Sequence, residues 1–290
     1  MNVLLTGGTG YLGSRLARAC VAQGHQVVIL KRSSSPLDRL QGLLGNVAIY
    51  DFDLGGMDEA FRIHQFDAVV HTATCYGRKG ENLREMVQSN VAFPLELLER
   101  AFVAGVSCFI NTDTSLDKQL NAYALSKKHF VEWGKFLAGQ GKIRFVNLIL
   151  EHFYGPGDDD SKFVSFVIRQ CLDRAAQIDL TAGDQRRDFI YIDDVVEAYL
   201  LVLKEAERLG GNWLEFALGS GEVVSIRQLV ELIRHLTKAE TRLNLGALPY
   251  RAGEQMHSCA DIRPLRQLGW SPKISLQAGL EQVIAEERRR

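Results

Sequence analysis

The sequence predicts an α/β fold, a doubly wound parallel sheet followed by a smaller C-terminal lobe. Three observations carry this. Short, wholly apolar runs alternate with amphipathic helical patterns through the first 150 residues. That is the signature of strands covered on both faces and joined by crossover helices. Glycines at 7, 10 and 13 mark the passage from the first such run into the first helical pattern. The rhythm changes after residue 150, at a Gly-Pro-Gly-Asp-Asp-Asp loop over 155–160.

Taken in order, residues 3–5 read as the first strand and 11–23 as a helix. Strands follow at 26–30, 47–50 and 67–71, then a long helical pattern at 81–104. A fifth strand covers 106–111, a helix 120–138 and a sixth strand 143–150. Right-handed crossovers between parallel strands make the arrangement a Rossmann fold over 1–150. Residues 151–290 form the substrate lobe, with helices near 163–171, 193–206 and 226–236 and strand-like pieces that can return to the main sheet. The tail 286–290 reads as a solvated helix end.

Composition narrows the class. The 290 residues carry 34 Lys and Arg against 35 Asp and Glu, a net charge of −1, which lacks the basic excess of a general nucleic-acid binder. No apolar run approaches the roughly 18 residues of a membrane span. The first residues reach glycines too soon for a signal peptide, so the expected location is the cytoplasm. Five scattered cysteines without Cys-x-x-Cys and seven histidines without His-x-x-x-His predict neither a disulfide framework nor a metal site.

The glycine loop comprises Thr6, Gly7, Gly8, Thr9, Gly10, Tyr11, Leu12 and Gly13. Gly7 permits a tight turn, Gly10 lets a pyrophosphate approach the backbone, and Gly13 lets the helix pack close to the strand. The helix N-terminus adds free N–H groups for phosphate. A glycine pattern alone is weak, but this one follows a strand and opens a helix, which is the context that dinucleotide binding requires. After the second strand stand Lys31, Arg32 and Ser33, where an acidic residue would bind a ribose 2′-hydroxyl. A guanidinium and hydroxyls suit a 2′-phosphate instead, so NADP(H) is expected, with NAD(H) the other candidate. Asp53 and Leu54 follow the third strand and are placed to border the adenine.

Tyr123-x-x-x-Lys127 lies on a predicted helix, and its spacing puts both side chains on one face. A phenol ordinarily titrates near 10, too high for easy exchange at neutral pH, and a neighbouring ammonium lowers it. Tyr123 can then give a proton to a carbonyl oxygen as hydride reaches the carbon.

Together these landmarks resemble the extended short-chain dehydrogenase/reductase family, in its branch acting on nucleotide sugars. The resemblance also rests on Asp53-Leu54, Asn90, Tyr154-Gly155-Pro156, the run Arg187-Asp188-Phe189-Ile190-Tyr191-Ile192-Asp193-Asp194, and Leu268-Gly269-Trp270-Ser271-Pro272. It implies Thr112, Tyr123 and Lys127 as the catalytic set, with the Thr112 hydroxyl on the substrate oxygen and Lys127 also holding the nicotinamide ribose. It places Thr72 and Ala73 against the cofactor and Thr74 and Asp113 at the substrate. It makes Arg187 and Arg251 a clamp for the nucleotide diphosphate, Asn90 a structural residue, and the protein a homodimer through the 81–104 and Tyr123 helices.

Two departures bear on the reaction. Asn111-Thr112-Asp113-Thr114 resembles the Ser-Thr-Asp-Glu of sugar-nucleotide 4,6-dehydratases, but Thr114 replaces the glutamate those enzymes need, which argues against dehydration. Glu151 and His152 replace the usual residues before the Tyr-Gly-Pro turn, and become candidates for sugar selection or for a simple loop-end ion pair. The segment 111–133 resembles bacterial 4-ketoreductases of deoxysugar pathways, of the CDP-abequose and CDP-paratose synthase type. The expected activity is therefore NADPH-dependent reduction of a nucleoside-diphosphate 4-keto-6-deoxy sugar at carbon 4. The alternatives are a 4-epimerase that keeps its cofactor bound and, further off, a non-catalytic NADP-sensing protein.

Overall fold

The computed structural model describes residues 1–78, 80–206 and 208–289. Arg290, the end of the expected tail, lies outside the described residues. The chain packs as two units, Met1–Ile149 with Ala198–Phe216, and Leu150–Glu197 with Ala217–Arg290.

The first unit is built on a seven-stranded sheet. Its strands are β1 (Asn2–Thr6), β2 (Gln26–Lys31), β3 (Val47–Asp51), β4 (Ala68–His71), β5 (Cys108–Thr114), β6 (Arg144–Leu150) and β10 (Trp213–Leu218), in the order β10-β6-β5-β4-β1-β2-β3. β1 pairs in parallel with both β2 and β4, Leu5 lying opposite Ile29 and Val70. The chain runs outward from β1 to β3 and then returns to the other side at β4. This reversal opens a crevice at the carboxyl ends of β1 and β4, where open α/β sheets bind ligands. Val3, Leu4 and Leu5 are at most 1% exposed, which explains why these strands carry no polar alternation. The doubly wound class expected from the sequence is the one observed.

Helices α1 (Tyr11–Ala22), α2 (Gly56–Ile63), α3 (Leu83–Val87), α4 (Phe93–Val103) and α5 (Ala122–Ala138) belong to this unit. Gly134 lets α5 lie against the sheet, since a Cβ there would meet the Phe145 ring at 2.3 Å. Phe145 in turn stacks on Phe109 of β5 at 5.5 Å.

Two elements depart from the sequence reading. The eight-residue α2 was not expected; it is short and starts behind the left-handed Gly55, so its period is hard to see. The continuous helix expected over 81–104 is interrupted by a π-turn at Gln88–Ala92. Pro94 explains the break, because it offers no N–H to the carbonyl four residues earlier and its ring crowds that turn.

In the second unit, β7 (His152–Tyr154), β9 (Arg186–Tyr191) and β11 (Val223–Ser225) form a three-stranded sheet. β8 (Gln177–Leu180) pairs with β12 (Arg242–Leu245). Helices α6 (Phe163–Leu172), α7 (Ile192–Glu205), α8 (Ile226–Thr237), α9 (Arg263–Gln267) and α10 (Leu276–Glu287) follow in the chain, α7 passing from this unit back into the first. Asp188 ties β9 to the turn after β10, accepting from Ser220 N at 2.7 Å, Ser220 Oγ at 2.6 Å and Gly221 N at 3.0 Å. Asp194 likewise accepts from Lys273 N at 2.9 Å and Ile274 N at 3.0 Å. Asp188 and Asp194 of the 187–194 run are thus spent on turns.

Candidate active site

The glycine loop closes at the end of β1. Gly7 has a φ of +72°, and a Cβ there would lie 2.6 Å from Ala73 N and from Thr72 Oγ1. A Cβ on Gly13 would lie 2.1 Å from Gly7 O. Gly10 N donates to Gly7 O at 2.8 Å, and Gly10 is exposed at the head of α1. No side chain caps α1 and no acidic residue sits in its first turn, so its N–H groups remain available to phosphate. Thr72 and Ala73 are drawn against this turn, since Thr72 Oγ1 donates to Thr6 O at 2.8 Å and Ala73 N to Thr6 Oγ1 at 3.4 Å. Tyr11 opens the helix with the Arg15 and Arg39 guanidinium groups 5.0 and 5.4 Å from its ring. The cradle that a Cβ would fill, beside an uncapped helix, fits a dinucleotide.

The outer edge is more intricately engaged than its sequence suggests. Lys31 Nζ lies 2.6 Å from Asp51 Oδ1, its register partner across β2 and β3. Ser33 gives both its N–H and its hydroxyl to Asp53, at 2.8 and 2.7 Å. These bonds hold the Asp53 carboxyl below its usual range. Arg32 is exposed and makes no ion pair among the described residues. Of the three groups expected at a 2′-phosphate, only Arg32 stands uncommitted. Leu54 is exposed beside them, 75% accessible.

Tyr123 and Lys127 lie on α5, and Asn121 caps that helix by accepting from Ala124 N at 2.9 Å. Burial pushes the Tyr123 phenol well above its usual range; Tyr76 and Asp113 add to this, and hydrogen bonds with the Thr114 and Thr74 hydroxyls oppose it. Lys127 is 2% exposed, and burial brings its ammonium down to about 8, against the pull of Asp113. Asn90, held inside the π-turn, supports both. Its amide donates to Cys75 O at 2.8 Å and to Ser126 Oγ at 3.0 Å, and its oxygen accepts from Cys75 N at 2.8 Å.

Thr112 and Thr114 share one face of β5, as residues two apart in a strand do. Thr112 Oγ1 is 2.7 Å from Tyr199 Oη of α7. Thr114, read from sequence only as a missing glutamate, returns as a hydroxyl beside Tyr123. Asp113 points to the opposite face, 4% exposed, with Lys118 Nζ at 2.8 Å and Asn147 Nδ2 at 3.3 Å. Its Oδ1 also accepts from Thr114 N at 2.8 Å.

The second unit carries the other expected groups. Glu151 accepts from Ser258 Oγ at 2.6 Å, and His152 Nδ1 lies 3.5 Å from Glu151 Oε2. His152 remains half-buried, its ring 5.6 Å from that of Phe189. Arg187 is buried with Nη2 2.6 Å from Glu254 Oε1. Arg251 is exposed. Ser258 and Glu254 had no local sequence signal, because each meets its partner from far along the chain.

Comparison with known proteins gives the family. Residues 3–214 match the family described as "Epimerase: NAD dependent epimerase/dehydratase family". The CDP-abequose synthase of Salmonella muenchen is 33% identical over 291 residues, covering 98% of this chain and 97% of that protein. A second, from Salmonella typhimurium, is 31% identical over 293 residues, covering 97% of each. The crystal structure of UDP-glucose 4-epimerase with UDP-glucose from Thermotoga maritima superposes with a TM-score of 0.87 at 25% identity, covering 100% of this chain and 99% of the other. The chain belongs to the NAD dependent epimerase/dehydratase family, within the extended short-chain dehydrogenases/reductases.

Proposed function

We propose that the protein reduces a nucleoside-diphosphate 4-keto-6-deoxy sugar at carbon 4, with NADPH as the reductant. The observation that carries this is Tyr123 beside the Thr74 and Thr114 hydroxyls, on the same helix face as the buried Lys127. The likeness to CDP-abequose synthases supports it. When bound, the reduced nicotinamide supplies the hydride that reaches carbon 4. Tyr123 Oη gives its proton to the sugar oxygen, so the phenolic O–H bond breaks as the new O–H forms. The Lys127 ammonium stabilises the resulting phenolate, which takes a proton back from solvent. Thr112 holds the reacting oxygen, and Thr74 and Thr114 hold Tyr123.

For the cofactor, Gly7, Thr9, Gly10, Tyr11, Leu12 and Gly13 take the pyrophosphate, and Asp53 and Leu54 the adenine. Thr72 and Ala73 line the turn, and Lys127 takes the nicotinamide ribose. The preference for NADP rests on Arg32. Glu151 and His152 select the sugar, and Arg187 and Arg251 take the diphosphate. Exposed Val87, Leu125, Trp133 and Phe136 on α3 and α5 support a homodimer through these helices.

A 4-epimerase is the second reading, favoured by the likeness to the Thermotoga maritima enzyme. It would use the same Thr112, Tyr123 and Lys127, with Tyr123 first taking a proton from a sugar hydroxyl and the same carbon oxidised and then re-reduced. The test is loss of NADPH absorbance with 4-keto-6-deoxy sugars carrying CDP, dTDP, UDP or GDP. Turnover with one nucleotide is expected. Silence across the panel with NADPH binding intact, and interconversion of non-keto sugars instead, would establish the epimerase.

A further inference from the structure

Tyr199 lies 87 residues from Thr112 in sequence, yet their hydroxyl oxygens are 2.7 Å apart. By distance alone either oxygen could be the donor. Burial decides between them. Tyr199 is 2% exposed. Its ring lines a small apolar cavity with Leu5, Leu16, Val27, Val70 and Leu203. Among the described residues, Thr112 is the hydrogen-bond partner found at its hydroxyl. A phenol has one proton to donate, and left unpaired in such surroundings that proton bears its full desolvation cost. Thr112 is half-buried, so its own hydroxyl hydrogen has room to point elsewhere.

We propose that Tyr199 is a positioning residue that donates its phenolic proton to Thr112 Oγ1 and thereby aims the Thr112 hydroxyl hydrogen at the substrate oxygen. This rests on the reading of Thr112 as the group that holds that oxygen. A threonine hydroxyl with no fixed acceptor role has three rotamers and can turn its hydrogen away. Once its oxygen accepts from a buried phenol, the hydrogen is confined to the remaining directions. Preorganised donors of this kind act on the charge that develops at the oxygen during reduction. Burial also keeps the Tyr199 phenol well above its usual range, so it retains the proton throughout the neutral region. α7 thus contributes to the chemistry through an element that otherwise carries turns and core.

The experiment is a double-mutant cycle on the full chain with Tyr199→Phe and Thr112→Ala. Steady-state reduction is measured on the turned-over sugar nucleotide. Tyr199→Phe is expected to lower kcat about tenfold with little change in KM for NADPH. In the Thr112→Ala background the same change is expected to cost nothing further. Equal, additive losses in both backgrounds, or an unchanged kcat for Tyr199→Phe, would overturn the proposal. An unchanged kcat for Thr112→Ala would instead remove the reading of Thr112 itself. A thermal-unfolding arm needs no substrate. Thr112→Val strands the phenolic proton, so adding Tyr199→Phe is expected to restore part of the lost Tm. Failure to restore any of it would show that the phenolic proton does not depend on Thr112, and would also overturn the proposal.

Discussion

Asn90 donates to Ser126 Oγ at 3.0 Å, and Ser126 Oγ donates in turn to Tyr123 O at 2.7 Å. Ser126 stands immediately before Lys127, so one buried amide sets the height of the helix face that carries Tyr123 and Lys127. The same Asn90 side chain holds both the N–H and the carbonyl of Cys75, next to Thr74. Removing it leaves several buried polar groups unpaired at once. Asn90→Ala is expected to cost about 2–4 kcal/mol in denaturant unfolding and to lower kcat, because Thr74 and Tyr123 lose their common anchor. Unfolding indistinguishable from the parent chain would contradict this.

Lys127 sits in a place that disfavours its charge. Its group titrates near 8 in the folded chain against 10.5 for the unperturbed side chain. Below about 8 both states carry the proton, and the folded state bears the burial penalty in full. Between about 8 and 10.5 the unfolded state holds more proton, so stability climbs with pH. Lys127→Met removes the penalty. At neutral pH it is expected to gain roughly 3 kcal/mol at most, to lose the pH slope in that window, and to abolish reduction. Chemical unfolding across this pH range checks all but the last point.

The glycine turn has no room for a methyl group at Gly13, where a Cβ would lie 2.1 Å from Gly7 O. Gly13→Ala is expected to abolish NADPH binding, read by quenching or enhancement of the reduced nicotinamide fluorescence. Gly45 provides the control, since nothing lies within 4 Å of a Cβ built there and its φ is ordinary. Gly45→Ala should bind as the parent does.

Under the proposed reading a 2′-phosphate would meet Arg32, because Lys31 and Ser33 are held by Asp51 and Asp53. Arg32→Ala is expected to weaken NADPH binding at least about tenfold while leaving NADH nearly unchanged, the value of a charge-assisted phosphate contact. Equal weakening of both cofactors would mean that this arginine does not meet a 2′-phosphate.

His152 lies against Glu151, itself fixed by Ser258. His152→Ala is expected to raise KM for the nucleotide sugar about tenfold with a smaller change in kcat. An unchanged KM would reduce the pair to a loop-end contact.

Residue order alone determined the doubly wound sheet, the glycine turn and the shared face of Tyr123 and Lys127. Each depends on neighbours only a few positions away, so apolar runs, glycine spacing and the helical period suffice to find it. Tertiary structure decided which of the candidate groups are uncommitted. Lys31 meets Asp51 only because β2 and β3 pair in that register. Arg187 meets Glu254, 67 residues on, and Thr112 meets Tyr199, 87 residues on. Asp113 turns away from Thr112 by strand alternation. Charge and hydroxyl content are properties of the chain. Their availability is a property of the partners that folding brings within about 3 Å, and those partners leave no periodic or local trace in the sequence.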